Sequence, residues 1–173
     1  VTTGGGNVLV GAVTGDAITI GNSNVAVGYN SLTTEVAGDR SVAIGYQALA
    51  LQTNATTADI YNVAVGYNAG YAVTTGIRNT LIGGLAGDAL TTGSYNQAFG
   101  YGALGTDTLG SRNTAIGQEA LGTQNFTTAT DSYNVGVGHA AGGAITTGLS
   151  NTLVGGLAGD AITDADHNTA IGY

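Results

Sequence analysis

Apolar and polar positions recur along this chain in short clusters that each begin with a polar residue. A cluster reads asparagine, any residue, a small or aliphatic residue, a larger apolar residue and glycine, and it occurs ten times. The clusters start at Asn7, Asn24, Ser41, Asn62, Asn79, Asn96, Asn113, Asn134, Asn151 and Asn168. Self-similarity at a short, nearly constant period indicates a repeat architecture in which one structural unit is stacked many times.

The residue numbers of successive starts differ by 17, except after Ser41 and Asn113, where they differ by 21. Three short units and one long unit therefore form a super-repeat, which places Asn79 in register with Asn151. The sequence GGLAGDA at 83–89 returns at 155–161 in the same register. We number positions within each unit from the initial asparagine, which is position 0.

Position 4 is glycine in every unit. The ten residues are Gly11, Gly28, Gly45, Gly66, Gly83, Gly100, Gly117, Gly138, Gly155 and Gly172. A glycine at one point of every unit predicts a turn with positive φ, or a close backbone approach that leaves no room for a Cβ atom.

Position 3 is apolar in every unit and predicts a ladder of core side chains. Its members are Val10, Val27, Ile44, Val65, Ile82, Phe99, Ile116, Val137, Val154 and Ile171. Position 2 is alanine, leucine or glycine, so neither face of this short strand carries a polar group at these two positions. A strand that is apolar on both faces is usually buried on both.

Composition favours strands and turns over long helices, because the chain has 31 glycines and no proline, with many β-branched residues in short runs. We therefore predict an all-β fold, a parallel β-solenoid of about ten coils, with a long coil at every fourth turn, that forms a single repeat domain over residues 1–173. At about 4.8 Å per coil, the rod would be roughly 45 to 50 Å long. The predicted structural ladder of stacked amides comprises Asn7, Asn24, Asn62, Asn79, Asn96, Asn113, Asn134, Asn151 and Asn168, with Ser41 as the exception.

The units NVAVGYNAG, SVAIGYQAL, NTAIGQEAL and NTAIGY make nearly the whole chain resemble the head repeats of trimeric autotransporter adhesins. They are also similar to repeats in phage tail fibres. The resemblance implies a left-handed parallel β-roll in which three chains lie side by side, although the unit is longer here than in the adhesin heads. It implies an extracellular fibre, on a cell surface or a virion tail, with a glycan or protein receptor as partner.

A homotrimer is also expected on physical grounds, independently of this resemblance. A coil this short encloses a thin core, and the strand needs cover on its outer face, which packing of Ala/Leu faces around an axis would supply. The alternative is that small side chains at position 2 tolerate solvent. Because the chain starts at Val1 without methionine and stops within a unit, we expect it to be part of a longer fibre.

Two features are candidates for recognition. The first is the pair of loops in the long units, 51–59 and 123–131, where four extra residues must bulge from the stack and where binding commonly occurs on rigid scaffolds. The residues singled out there are Asn54, Thr56, Asn125, Phe126 and Thr127, which include two Asn-x-Thr sequons. The second is an aromatic row at position 5, Tyr29, Tyr46, Tyr67, Tyr101 and Tyr173, which could stack on sugar rings. The structural alternatives are bulges that interlock chains and tyrosines that pack between coils.

The net charge of the chain also limits the kinds of partner that we expect. The net charge is −8 and there is no lysine, so neither a nucleic acid nor an anionic membrane is an expected partner. Arg40, Arg78 and Arg112 directly precede the next unit, and we expect them to line one edge of the rod and to bind carbonyls or carboxylates such as Asp39.

The sequence offers few candidate catalytic residues, because the chain has only two histidines, no cysteine and no recurring carboxylate pair. We expect no enzyme activity, no cofactor and no metal site, although Asp164, Asp166 and His167 form a small polar cluster. The prediction is a structural and adhesive fibre segment. Alternatives are a self-assembling extracellular filament scaffold and an ice-binding solenoid with a threonine ladder at position 12, Thr19, Thr53, Thr74, Thr91, Thr108, Thr146 and Thr163.

Overall fold

The computed structural model describes every residue from Val1 to Tyr173 and contains strands and turns but no helix. Ten three-residue strands form one parallel sheet in chain order: β1 (Val8–Val10), β2 (Val25–Val27), β4 (Val42–Ile44), β6 (Val63–Val65), β7 (Thr80–Ile82), β8 (Gln97–Phe99), β10 (Thr114–Ile116), β12 (Val135–Val137), β13 (Thr152–Val154) and β14 (Thr169–Ile171). Each strand occupies positions 1 to 3 of its unit. The predicted β-solenoid of about ten coils is confirmed.

The long coils add two small parallel sheets to this arrangement. Strand β3 (Gly38–Asp39) pairs with β5 (Ala58–Asp59), and β9 (Gly110–Ser111) pairs with β11 (Thr130–Asp131). In both cases the second strand lies at the end of a long loop. The four extra residues are therefore accommodated before the chain returns to the register of the preceding coil.

The turns are stacked as regularly as the strands. The chain makes 103 backbone hydrogen bonds, of which 83 lie outside the strand ladders, so most of the coil-to-coil bonding involves turns. All ten position-4 glycines have φ between 122° and 142°. A Cβ atom on Gly83 would lie 2.5 Å from the carbonyl oxygen of Gly100 in the next coil. Both reasons predicted for this glycine, positive φ and close approach, are therefore present.

The core ladder predicted at position 3 is wrong, because the side chains that point inward are those at position 2. Ala26, Ala43, Ala64, Leu81 and Ala98 are fully buried, whereas Ile44 and Ile82 at position 3 are 38% and 37% exposed. Side chains alternate across a strand, so positions 1 and 3 share the outer face. The outer face of the ten-stranded sheet therefore has an apolar column at position 3 and, beside it, a column at position 1 that is valine in five coils and threonine or glutamine in the other five.

Each coil encloses a narrow core, and in seven of the nine complete units one leucine is supplied to it from position 2 or from position 8; the units that start at Asn62 and Asn134 have a leucine at neither. Where position 2 is leucine, as at Leu81, position 8 is a glycine, Gly87, whose Cβ would lie 2.8 Å from Leu81 Cδ2. Where position 2 is alanine, as at Ala98, position 8 is often leucine, as at Leu104, and both are buried. This exchange keeps the interior filled with one set of aliphatic side chains per coil.

Candidate functional site

The asparagine ladder forms a buried spine along one edge of the strands. In a typical coil, Asn79 Nδ2 donates to the carbonyl of Gly93 at 2.9 Å, and Asn79 Oδ1 accepts from the backbone N–H of Asn96 at 2.9 Å. Each amide therefore closes its own coil and binds the next one. These contacts explain why an asparagine is required at position 0, since both its donor and its acceptor are used.

Ser41, the exception, begins a long coil, as Asn113 does. Asn113 Nδ2 donates to Asn96 Oδ1 of the preceding coil at 3.1 Å and not to a carbonyl of its own coil, so position 0 of a long coil lacks the contact that an asparagine makes elsewhere. Gln52 compensates by donating from Nε2 to Ser41 Oγ at 3.0 Å and by accepting from Asn62 Nδ2 at 2.9 Å. In the other long coil, Gln124 Oε1 accepts from Asn134 Nδ2 at 2.8 Å.

The long loops are attached to the rod by two buried carboxylates that sequence reasoning missed. Glu35 Oε1 accepts backbone N–H groups from Val36, Ala37, Gly38 and Asn54 at 2.7 to 3.1 Å. One super-repeat later, Asp107 accepts from Gln124 Nε2 at 2.6 Å and from Gly110 N at 3.0 Å. The signal in the sequence was position 11, which is apolar in the other five coils. It is glutamine in each long coil, at Gln52 and Gln124, and acidic in the coil before it, at Glu35 and Asp107.

Burial raises the pKa of Asp107 above its ordinary value of 3.8, and the hydrogen bonds from Gln124 and from backbone N–H groups only partly oppose that effect. The carboxylate is fully buried. Its ionised form is therefore less favourable in the folded chain than in water.

The five loop residues predicted to act in recognition occupy different environments. The expectation that Phe126 acts in recognition is wrong, because its side chain is only 5% exposed and is buried instead of facing solvent. Asn54 is half-buried and donates from Nδ2 to Glu35 Oε2 at 2.8 Å, so its amide binds the buried carboxylate of Glu35. Thr56 and Thr127 are exposed, as is Asn125, whose Oδ1 accepts from Thr108 Oγ1 at 3.0 Å.

The tyrosine row at position 5 is an exposed stack over three consecutive coils. The ring centroids of Tyr29 and Tyr46 are 5.5 Å apart, and those of Tyr46 and Tyr67 are 5.4 Å apart, with interplanar angles of 16° and 10°. The faces of these rings are therefore largely occupied by one another. Tyr101 is separated from this stack by Gly84, which takes position 5 in the coil between them.

A second aromatic ladder, which sequence reasoning missed, involves the three arginines. The residue before position 0 alternates between arginine and tyrosine over six coils: Arg40, Tyr61, Arg78, Tyr95, Arg112 and Tyr133. All six have φ between 52° and 64°, which directs their side chains outward in one line. The guanidinium carbon of Arg112 lies 4.7 Å from the centroid of Tyr95, within the range of a cation–π contact.

The carboxylate partners of this arginine–tyrosine ladder also differ from the expectation. Arg40 pairs with Asp59, and Arg112 Nε lies 3.0 Å from Asp131 Oδ2, whereas Asp39 Oδ1 instead accepts from the backbone N–H of Asn22. The hydrogen bond and charge of Asp131 raise the pKa of Arg112. Both aspartates come from the ends of the long loops, so the bulges anchor the arginines at two of their three positions.

The threonine ladder at position 12 uses its hydroxyl groups within the rod. Thr91 Oγ1 donates to the carbonyl of Thr108 at 2.9 Å, and Thr146 Oγ1 donates to that of Thr163 at 3.2 Å. Hydroxyl protons directed along the stack are not free to donate to ordered water. This geometry weighs against an ice-binding surface at these positions.

A groove of about 610 Å³ runs beside the turns of coils five to nine. Its lining includes Gly102, Gly105, Gly122 and Gly143, which have no side chains to fill it. Asp88, Glu119 and Asp160 line it, and burial raises the pKa of Asp88. The chain has no group of three or more histidine, cysteine, aspartate or glutamate side chains placed to hold a metal ion. It also has no helix of sufficient length and apolarity to cross a membrane.

Comparison with known proteins adds no relative to these observations. Neither a protein-family model, nor a curated protein, nor a solved structure matches the chain. We therefore infer its function from the geometry of the β-solenoid and the chemistry of its surfaces.

Proposed function

We propose that this β-solenoid is a structural and adhesive segment of an extracellular fibre, on a cell surface or a virion tail, and that it works as a homotrimer. The single observation that carries the proposal is the uncharged outer face of the ten-stranded sheet, with its exposed apolar column at position 3. Position 3 contributes only valine, isoleucine and phenylalanine to that face, and positions 1 and 3 contain no charged residue in any coil. Interface cores are depleted of charge in the same way.

The occupant that best fits this face is further copies of the same chain. The position-3 column is valine or isoleucine in nine coils and Phe99 in the tenth, so it is nearly regular along the rod and an identical column can pack against it over its full length. Closed rotational symmetry would bury the face of every chain equally. The role of such a rod is mechanical, since it holds attachment sites at a fixed distance and presents three copies of each of them.

Native mass spectrometry of the chain tests the trimer directly. The matched variant is Ile82→Glu with Ile116→Glu, which places charges on two exposed positions of the outer face without touching the core. Thr57→Glu, in an exposed part of the first long loop, is the control. We expect a trimer for the wild type and for Thr57→Glu, and a folded monomer for the double variant. A wild-type monomer, or a species that grows without limit as concentration rises, would contradict the closed trimer.

A further inference from the structure

The tyrosine row has a gap that recurs with the super-repeat. At position 5, Tyr67 is followed one coil later by Gly84 and two coils later by Tyr101. One super-repeat further on, the same three places hold His139, Gly156 and Tyr173. An aromatic ring, a glycine and a second aromatic ring therefore occur twice on the same side of the rod.

Each gap has the dimensions of one missing ring. Rings in adjacent coils of this row are 5.4 to 5.5 Å apart, so the glycine removes one member from a regular stack. Two coil steps separate the flanking rings by about 10 Å along the rod. Tyr67 and Tyr101 are 57% and 56% exposed, so both flanking side chains are accessible to solvent. We call the space above Gly84, between Tyr67 and Tyr101, the aromatic slot.

The slot is covered by a side chain that can move. In the structure Tyr101 leans over Gly84, with Cδ2 and Cε2 at 3.5 and 3.8 Å from the place that a Cβ atom of residue 84 would take. Exposed side chains change rotamer within picoseconds to nanoseconds, so Tyr101 can return to the direction of the stacked tyrosines. Above Gly156, the equivalent glycine, no atom lies within 4 Å of the Cβ position.

We propose that the aromatic slot binds one pyranose ring of a neutral saccharide. Once Tyr101 turns back to the direction of the stacked tyrosines, its ring and that of Tyr67 would offer apolar faces to the C–H groups of the sugar, while the tyrosine hydroxyls can bond its hydroxyls. Positions 4 to 6 of the three coils around the slot carry no charge, which favours a neutral ligand over an acidic one. The slot thus combines apolar walls with a few polar groups, as small-ligand sites commonly do.

The spacing of the two gaps strengthens this assignment. Gly84 and Gly156 are four coils apart, which corresponds to about 19 Å along the rod. A single oligosaccharide chain lying along the rod can therefore meet both gaps, and two weak contacts raise the apparent affinity of each. This inference deepens the proposed attachment role by naming its ligand, but the slot lies within one chain and does not require the trimer.

The chain offers a variant that fills the slot without straining the fold. Gly84 does not have positive φ, and a Cβ atom there meets nothing closer than 3.5 Å, so tyrosine at 84 would simply continue the stack. The test uses Gly84→Tyr combined with Gly156→Tyr, with Tyr29→Ala as the control outside both gaps. Cellohexaose and chitohexaose are the neutral probes, and binding is followed by saturation-transfer NMR and calorimetry at millimolar ligand.

We expect at least one neutral hexasaccharide to bind the wild type and the Tyr29→Ala variant, and to bind the filled variant at least about tenfold more weakly. Tyr67→Ala should weaken binding as well. Equal affinity of the filled variant, absence of binding by both saccharides, or binding of a tyrosine-rich peptide in their place would overturn the proposal. Thermal melting of the filled variant should match that of the wild type.

Native mass measured on the same samples separates the two proposals. A trimer that binds no saccharide would remove the aromatic slot and leave the fibre standing. A monomer that binds the saccharide through the slot would keep this inference and remove the trimer.

Discussion

At the scale of single residues, the fold depends on a backbone conformation that most side chains avoid. Twenty-one residues other than glycine have φ between 49° and 64°, at fixed positions of the coil. Each costs about 1 to 2 kcal/mol relative to ordinary backbone. The cost is offset by the stack, because residues such as Asn30 and Gln47 donate their backbone N–H groups to the preceding coil at 3.1 and 3.0 Å.

Two adjacent glycines provide a matched test of this backbone argument. Gly83 has φ of 132° and faces the Gly100 carbonyl, whereas Gly84 has neither restriction. We expect Gly83→Ala to lower the free energy of unfolding by about 2 to 4 kcal/mol, and Gly84→Ala to change it by less than about 0.5 kcal/mol. Urea denaturation measures both. Similar losses in the two variants would show that the close approach at Gly83 is not the cause.

The asparagine spine makes a second prediction at this scale. Replacing Asn79 with alanine leaves the Asn96 N–H and the Gly93 carbonyl without their partners inside the rod. Since an unsatisfied buried polar group costs about 1 to 3 kcal/mol, we expect a loss of about 2 to 4 kcal/mol for the two together. Chemical denaturation provides the measurement, and a loss below about 0.5 kcal/mol would mean that water replaces the amide freely.

At the scale of the element, sequence reasoning correctly predicted the coil but assigned its faces wrongly. The period, the position-4 glycine and the asparagine ladder were all readable, because each is an identity repeated in nearly every unit. The inward face of the strand could not be predicted in this way. Alanine at position 2, as at 26, 43 and 98, suggests a position that tolerates solvent, whereas valine and isoleucine at position 3 suggest a core. Between positions 2 and 8 of one coil there is room for only one leucine, so the inward position 2 is often alanine.

This sharing of volume predicts coupling between Leu81 and Gly87. Leu81→Ala alone should cost about 2 to 5 kcal/mol through an unfilled cavity, and Gly87→Leu alone should be destabilising because Leu81 lies in the way. The double variant reproduces the Ala98 and Leu104 pattern of the next coil. We expect it to be more stable than the sum of the two single effects, in a double-mutant cycle followed by denaturation. Strict additivity would contradict a shared core volume.

The buried carboxylates were missed for a related reason, since a charged residue in an apolar column suggests an exposed site. Asp107 makes a prediction about pH. Its pKa is raised in the folded chain, so its contribution to stability is complete below its ordinary value near 3.8 and is lost as pH rises through the folded pKa. We therefore expect the wild type to lose stability relative to Asp107→Asn as pH rises from about 3.8 through the folded pKa of Asp107.

Denaturation of both proteins at a series of pH values measures that difference. Asp88, whose pKa is raised in the same direction, is present in both proteins and its effect cancels. A stability difference that stays constant with pH, or that changes in the opposite sense, would mean that Asp107 is not penalised by burial.

At the scale of the whole molecule, the chain is a rod with chemically distinct sides. The strand face is uncharged and has an apolar column at position 3. Asp59 and Asp131 join the long loops to the arginine–tyrosine ladder, and the tyrosine row contains the aromatic slot. The sequence supported the rod, but it could not place these surfaces. The arginine–tyrosine ladder, for example, emerges only when the long coils are folded into register.

The most direct test of this account is thiol labelling of two neighbouring positions, which is possible because the chain has no cysteine. The variants are Ala43→Cys, at buried position 2, and Ile44→Cys, at exposed position 3. Both are made with Ile82→Glu and Ile116→Glu, so that association cannot cover the outer face. We expect Cys at 44 to react nearly as fast as in the unfolded chain and Cys at 43 to react only on unfolding. The reverse pattern, with 44 protected and 43 reactive, would contradict the structure and restore the core at position 3.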